Sequence, residues 1–360
     1  MAQTSPGIEA LTVRVFAPAL RGGLLALLAA ALFGLSTPLV QYFGQGLGAF
    51  TTAALLYAGA AGVALLMRRP PEREAALRRS DFARIAAMAV FGAVIGPVAL
   101  AWGLQRTSGS SASLMLTLEA LFTAVLAWRF YGETMDRRVA AAMLLLLAGG
   151  MALVFEQGQA GDTQLAGLLA VLVATAAWGL DNTLSRGVAD RDPGQVVLAK
   201  ASLGVLATVG FARVFGEPLP GLVATLAMLA IGATGYGLSL RFYLLAQREF
   251  GAGRTGSVFA FAPFIGAAGA FVLGNRSGTW ILIAGGILML AGVVLHLLES
   301  HVHDHEHEAM EHEHAHSHED GHHLHTHKVM PSGSHSHWHR HEPLQHVHSH
   351  VPDAHHLHPH

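Results

Sequence analysis

The sequence predicts an all-α integral membrane protein: ten transmembrane helices in two inverted-topology repeats of five, then a disordered His-rich C-terminal tail. Three observations carry this. Of 360 residues, 52% are apolar and 13% are charged, with a mean hydropathy of +0.43; an average soluble domain is about 25% charged. Ten windows are long and apolar enough to cross about 30 Å of hydrocarbon. All but one of the 24 histidines lie beyond residue 300. The chain is therefore two objects, an apolar body almost free of imidazole and a polar tail.

The predicted spans are approximately 21–42, 47–67, 82–104, 109–130, 138–156, 165–185, 194–215, 221–245, 254–274 and 279–298. The first exceeds the 7–15 apolar residues of a cleavable signal and further spans follow it, so it is read as a span. Pro38, Gly92, Gly96, Pro97 and Pro263 fall inside spans, where membrane helices tolerate such residues. Gly92 and Gly96, four apart, suit close helix contact. With the N-terminus inside, the inner connections carry 15 Arg residues and the outer ones 3, Arg106, Arg213 and Arg276. By the positive-inside rule both termini are cytoplasmic, and the expected location is the inner membrane.

The body repeats itself. FGLSTPL at 33–39 resembles WGLDNTL at 178–184, and LLLLAGGMALVFE at 144–156 resembles ILMLAGVVLHLLE at 287–299. The offsets, 145 and 143 residues, define two units of five spans each. An odd number of spans makes the second unit enter from the opposite side, an architecture found in secondary transporters with a site near the midplane. The expected organisation is a cytoplasmic segment at 1–20, repeats at 21–156 and 165–298, and the tail at 301–360.

Two segments sharpen this, SASLMLTLEALFTAVLAWRFYGE at 111–133 and GRTGSVFAFAPFIGAAGAFVLGN at 253–275. With the five-plus-five pattern they resemble the EamA-type repeats of the drug/metabolite transporter superfamily, over roughly residues 21–298. Ala120 stands where the first repeat of that family often has Pro, and Asn275 where the second often has Glu. The resemblance implies a secondary carrier, often an exporter, of small polar metabolites or drugs, with the lipid bilayer and a small-molecule substrate as partners.

Ionisable groups within spans need a reason, because each costs several kcal/mol in hydrocarbon. Glu119 lies about ten residues into the fourth span, near the midplane. It can carry a proton or bind substrate, or simply hydrogen-bond to a neighbouring helix. Asp181 and Lys200 lie at similar depths on consecutive antiparallel spans, roughly 7–9 Å inside the cytoplasmic boundary at 1.5 Å per residue. They are expected to pair, as a structural contact, a gate or both; Asn182 adds an amide beside the acid. Arg241, near the inner end of the eighth span, either snorkels to the headgroups or binds a substrate carboxylate. Trp102, Trp178, Tyr236 and Tyr243 either anchor at interfaces or line a site for planar or cationic substrates. Pro263 is expected to kink the ninth span.

In the tail His alternates with other residues at His301, His303, His305 and His307, at His312, His314, His316 and His318, and at His335, His337, His339 and His341. Carboxylates stand between many of them. Few large apolar residues remain, so no core can form and disorder is the default. Imidazole with carboxylate suits Zn, Ni, Co or Cu, so divalent ions are expected on the tail, with no cofactor required by the body. A metal carrier, or a carrier of a metal chelate, is the alternative function; against it, residues 1–295 hold neither His nor Cys.

Other classes are excluded or disfavoured. The absence of Cys rules out disulfides, Fe–S clusters and thiolate zinc sites. A net charge of −2 gives no basic surface for nucleic acid. No nucleotide-binding loop or catalytic constellation occurs in the spans, so an enzyme is not expected. The Arg asymmetry makes a direct test possible: reporter fusions at residues 75 and 160 should read inside and outside respectively. The same reading at both positions excludes this topology.

Overall fold

The structure is a computed structural model. It describes residues 7–67, 75–131, 137–188, 191–250, 252–275 and 279–297, and in the tail 301–307, 310–316, 335–341 and 344–350. The body is helical: α1 Gly7–Phe43, α2 Ala49–Leu66, α3 Arg79–Leu104, α4 Gly109–Phe130, α5 Arg137–Ala160, α6 Asp162–Val188, α7 Pro193–Val214 and α8 Leu222–Gln247. Then come α9 Ala252–Phe259, α10 Ala262–Val272 and α11 Trp280–Leu297. Among the described residues, eight segments are long and apolar enough to cross a membrane: Leu20–Phe43 of α1, and α2 to α8. Two shorter apolar helices, α10 and the Trp280–Leu295 part of α11, follow.

The expected ninth span is two helices, broken between Phe259 and Ala262. Pro263 lacks an N–H and disfavours helical geometry before it, which accounts for that break. Yet α4 is broken at the corresponding place, between Met115 and Leu118, with Ala120 where the second repeat has Pro263. There the chain tightens locally, with Thr117 N bonding Leu114 O at 2.9 Å and Glu119 N bonding Leu116 O at 3.0 Å. These three-residue steps interrupt the helix without proline. The first helix begins at Gly7, ahead of its apolar span at Leu20–Phe43.

Helix ends are set by local chemistry. Ser108 accepts from Ser111 N at 3.0 Å and caps α4, and Asp192, followed by Pro193, accepts from Gly194 N at 2.8 Å and caps α7. Large apolar side chains such as Leu206, Leu226 and Val272 stay exposed on the outer faces, as expected of helices that meet lipid rather than water.

The packing has an internal echo. In the first repeat α1 packs on α8 and α10; in the second, α6 packs on α3 and α4. Two further large contacts, α2 on α7 and α5 on α11, join equivalent helices of the two repeats, and α2 also packs extensively on α8. Each third span also contains one π-helical stretch, Ala89–Ile95 in α3 and Gly232–Leu238 in α8. The two lie 143 residues apart, one of the offsets of the sequence repeat.

The described residues of the tail form extended pairs. Strand β1 His301–His307 runs antiparallel to β4 Leu344–His350, and β2 Met310–His316 to β3 His335–His341. The physical reason is the period of two in the sequence, which matches the strand repeat; lack of a core excludes a packed domain but not a ribbon. The register sets His opposite His, for example His303↔His348, His305↔His346, His312↔His339 and His314↔His337. His318 lies outside the described residues.

Candidate functional site

The site grows from an irregularity in α3. In its π-helical stretch, Gly96 N–H bonds Phe91 O, five residues back rather than four. Pro97, the next residue, has no N–H to give. The Gly92 carbonyl thus loses both of its helical donors. It accepts instead from the Tyr57 hydroxyl and from Trp178 Nε1, the latter at 3.0 Å. A buried carbonyl cannot be left unpaired at low cost, so α2 and α6 are tied to α3 at this point.

Directly against Gly92 sits an ion pair. Lys200 Nζ on α7 bonds Asp181 Oδ2 on α6, with Lys200 3% and Asp181 4% exposed. A Cβ on Gly92 would overlap both the Asp181 carboxylate and Lys200 Nζ. A side chain at position 92 would therefore have to displace the pair. Asp181 Oδ1 is buried and has no hydrogen-bond partner among the described residues. On the next residue, Asn182 Nδ2 donates to Glu119 Oε1 on α4.

These groups line one cavity of about 60 Å³, with room for a few waters or one small head group. Its walls come from both repeats: Phe33 and Tyr57 from the first; Trp178, Tyr236, Tyr243 and Phe259 from the second. The rings pack mainly edge to face. Phe33 contacts Trp178, Tyr236 and Phe259 at centroid distances of 5.6, 5.8 and 5.5 Å, and Tyr243 meets Phe259 at 5.0 Å.

Of the residues singled out by sequence, the structure brings Glu119, Trp178, Asp181, Asn182, Lys200, Tyr236 and Tyr243 together. It does not bring in the other two. Trp102 is 39% exposed near the far end of α3, with the Arg106 guanidinium 3.8 Å above its ring. Arg241 is 7% exposed, so it does not snorkel outward; it lies beside Gly194 and Asp192 at the start of α7 and outside the cavity. Both had been placed by depth alone, and depth does not fix which way a side chain turns. Sequence reasoning missed Phe33, Tyr57 and Phe259. The repeat supplied a usable signal for two of them. An offset of 145 sets Phe33 opposite Trp178, and an offset of 143 sets Tyr57 opposite Lys200.

Both ends of the helices are tied. At one end Gln41 Nε2 donates to Leu104 O and Thr107 O at 2.9 and 3.0 Å, while Gln157 bonds Thr107 and Ser111, each at 3.1 Å. At the other, Asp81 pairs with Arg191 at 3.1 Å and Asp192 N donates to Ala75 O at 2.8 Å.

An apolar helical body of two like halves, with paired charges and an aromatic-walled cavity between them, is the build of a membrane transporter. Comparison with known proteins agrees. The pattern of the EamA-like transporter family matches twice, over residues 20–155 and 165–298, and the chain belongs to that family. It is 29% identical over 243 residues to an uncharacterized transporter of Methanothermobacter thermautotrophicus, covering 64% of this chain and 68% of that one. It is 23% identical over 205 residues to a protein of Salmonella typhimurium named a probable amino-acid metabolite efflux pump, covering 53% and 68% respectively. A solved crystal structure shares the fold, with a TM-score of 0.55 and 19% identity over 77% of this chain and 98% of its own. The chain is thus a multi-pass membrane transporter of a family whose named relatives are transporters rather than enzymes.

The buried pair has a measurable consequence. Asp181→Ala or Lys200→Ala each leaves one uncompensated buried charge and should destabilise the protein by roughly 3–5 kcal/mol. Removing both should cost clearly less than the sum. Thermal unfolding in detergent of the four proteins measures the coupling, and strict additivity excludes an energetic contact.

Proposed function

We propose that the protein is a secondary transporter of the inner membrane, exporting a small polar metabolite or drug from the cytoplasm. In this reading the chain crosses the membrane ten times, α9 and α10 forming one broken crossing and α11 the tenth. Both termini are cytoplasmic. The observation that carries the reading is the cavity itself, where Glu119 and the Asp181–Lys200 pair lie among side chains of both repeats. Charges held within spans are costly and mark substrate or ion pathways. The name of the Salmonella relative supports efflux and makes amino-acid metabolites the first solutes to try. Transport is driven by an ion gradient or by the gradient of the substrate.

Glu119, Asp181, Asn182, Lys200 and Tyr243 are the proposed binding residues. Uptake of labelled solutes into everted membrane vesicles tests this. Glu119→Gln should lower the transport rate severalfold more than it lowers the amount of protein in the membrane. Wild-type rates at every pH tested would assign Glu119 to packing alone.

The tail is proposed to bind Zn, Ni, Co or Cu. Its support is donor density together with a register that sets His opposite His. Such a tail favours a second reading, in which the body carries a metal or a metal chelate. A chain ending at residue 300 separates the two. Unchanged transport by the shortened chain, with or without Zn or Ni, makes the tail an accessory. Full-length protein should bind several divalent ions at pH 7.5 that the shortened chain does not. Imidazole must be neutral to ligate, so binding should weaken as pH falls through about 6.5. Equal binding at pH 5.5 and 7.5 contradicts imidazole ligation.

A further inference from the structure

Resting on the transporter reading, we infer that the substrate of this cavity is a small organic cation, a protonated amine or a quaternary ammonium. The first argument is the charge inventory. Two carboxylates and one ammonium face the cavity: Glu119, Asp181 and Lys200. Lys200 already bonds Asp181. Glu119 accepts only from the neutral Asn182 amide, and no cation lies within ion-pair distance of it among the described residues. The site thus holds one carboxyl group without a cationic partner and no spare positive charge, so a bound cation is what would stabilise its ionised form. An anionic substrate would have to break the Lys200–Asp181 bond and leave Asp181 uncompensated, which is strongly unfavourable in a buried site.

The second argument is independent of charge. Six rings line the same space: Phe33, Tyr57, Trp178, Tyr236, Tyr243 and Phe259. A desolvated cation is attracted to ring faces, and aromatic cages are a known way to hold ammonium groups. The third is Asp181 Oδ1, buried and without a donor, which gives the cation or its N–H groups a second carboxylate oxygen beside the one on Glu119.

The repeat sharpens this. Ser36 corresponds to Asp181, Tyr57 to Lys200 and Ala262 to Glu119 at the repeat offsets. The related positions in the other half are all uncharged. Glu119 comes from the first repeat and Asp181 from the second, so each acid is a departure from the duplicated frame rather than part of it, and the two converge on one cavity.

The test is equilibrium binding to the full chain in lipid nanodiscs, using three labelled probes of similar size: benzyltrimethylammonium, benzyl alcohol and phenylacetate. The cation should bind at least about tenfold more tightly than either of the others, on the scale of a desolvated cation–π contact with a carboxylate nearby. Glu119→Gln keeps an acceptor for Asn182 and should remove about tenfold of that preference. Trp178→Leu should weaken the cation selectively, whereas Trp102→Leu, outside the cavity, should leave it unchanged. Phenylacetate or benzyl alcohol binding as tightly as the cation, or a Glu119→Gln protein with undiminished preference, overturns the inference. If cation binding fails while vesicles still move another solute, only the substrate class is wrong; if vesicles move no solute, the transporter reading fails with it.

Discussion

The Asp181–Lys200 pair sets the terms for the structure around it. Two opposite charges are held out of water where bilayer-spanning helices cross. Each carries a desolvation cost of several kcal/mol that only a close, well-oriented partner offsets. Closeness comes from Gly92, the position at which any side chain would displace the pair. Orientation comes from the π-helical register of α3, which leaves the Gly92 carbonyl free to bind Tyr57 and Trp178. One turn of irregular helix thereby positions elements α2, α3, α6 and α7 together. π-helical turns recur at functional sites for this reason: they expose main-chain groups that a regular helix hides.

The two repeats share a backbone plan and divide the chemistry unequally. Both third spans contain a π-helical stretch, and both fourth spans break in the middle. Where α3 has Pro97, however, α8 has Leu240, which can still donate to the chain. Only the first stretch has a carbonyl deprived of both helical donors. Likewise the second fourth span breaks before Pro263, while the first breaks without one and places Glu119 just beyond the break. A shortened, separate helix segment puts Glu119 close enough to α6 for Asn182 to reach it. The duplicated frame supplies the cavity, and departures from the duplication supply its charge.

Much of the frame was legible in the sequence because its signals are long-range averages. Span positions follow from apolar length, the repeat from self-similarity, and the Asp181–Lys200 contact from equal depth on consecutive antiparallel helices. The Glu119–Asn182 bond was not legible, since it depends on how α4 packs across α6. Phe33 and Tyr57 looked like ordinary apolar packing, because an aromatic ring in an apolar span has the same signature whether it faces a cavity or lipid. Trp102 and Arg241 failed for the converse reason. Their depth was plausible, but Trp102 turns outward and Arg241 joins the start of α7. The π-helical stretches leave no compositional trace beyond glycines that also serve helix packing.

The ties at the two ends bear on how such a transporter works. A carrier must open its cavity to one side at a time, and here both ends are closed by different chemistry. One end is held by the hydrogen bonds of Gln41 and Gln157 and by the Glu217 carboxylate, which accepts from Phe50 N, Thr51 N and the Thr51 hydroxyl. The other is held by the Asp81–Arg191 ion pair and a main-chain contact between Asp192 and Ala75. Each end thus holds a charged group in direct contact with a neighbouring segment, Glu217 at one and the Asp81–Arg191 pair at the other. Asp181 and Lys200 sit on α6 and α7, the helices whose connection carries Arg191, so separating that end would pull on the buried pair as well. In the proposed function, a substrate charge in the cavity would act directly on that pair and so be coupled through α6 and α7 to the end that Asp81 and Arg191 hold.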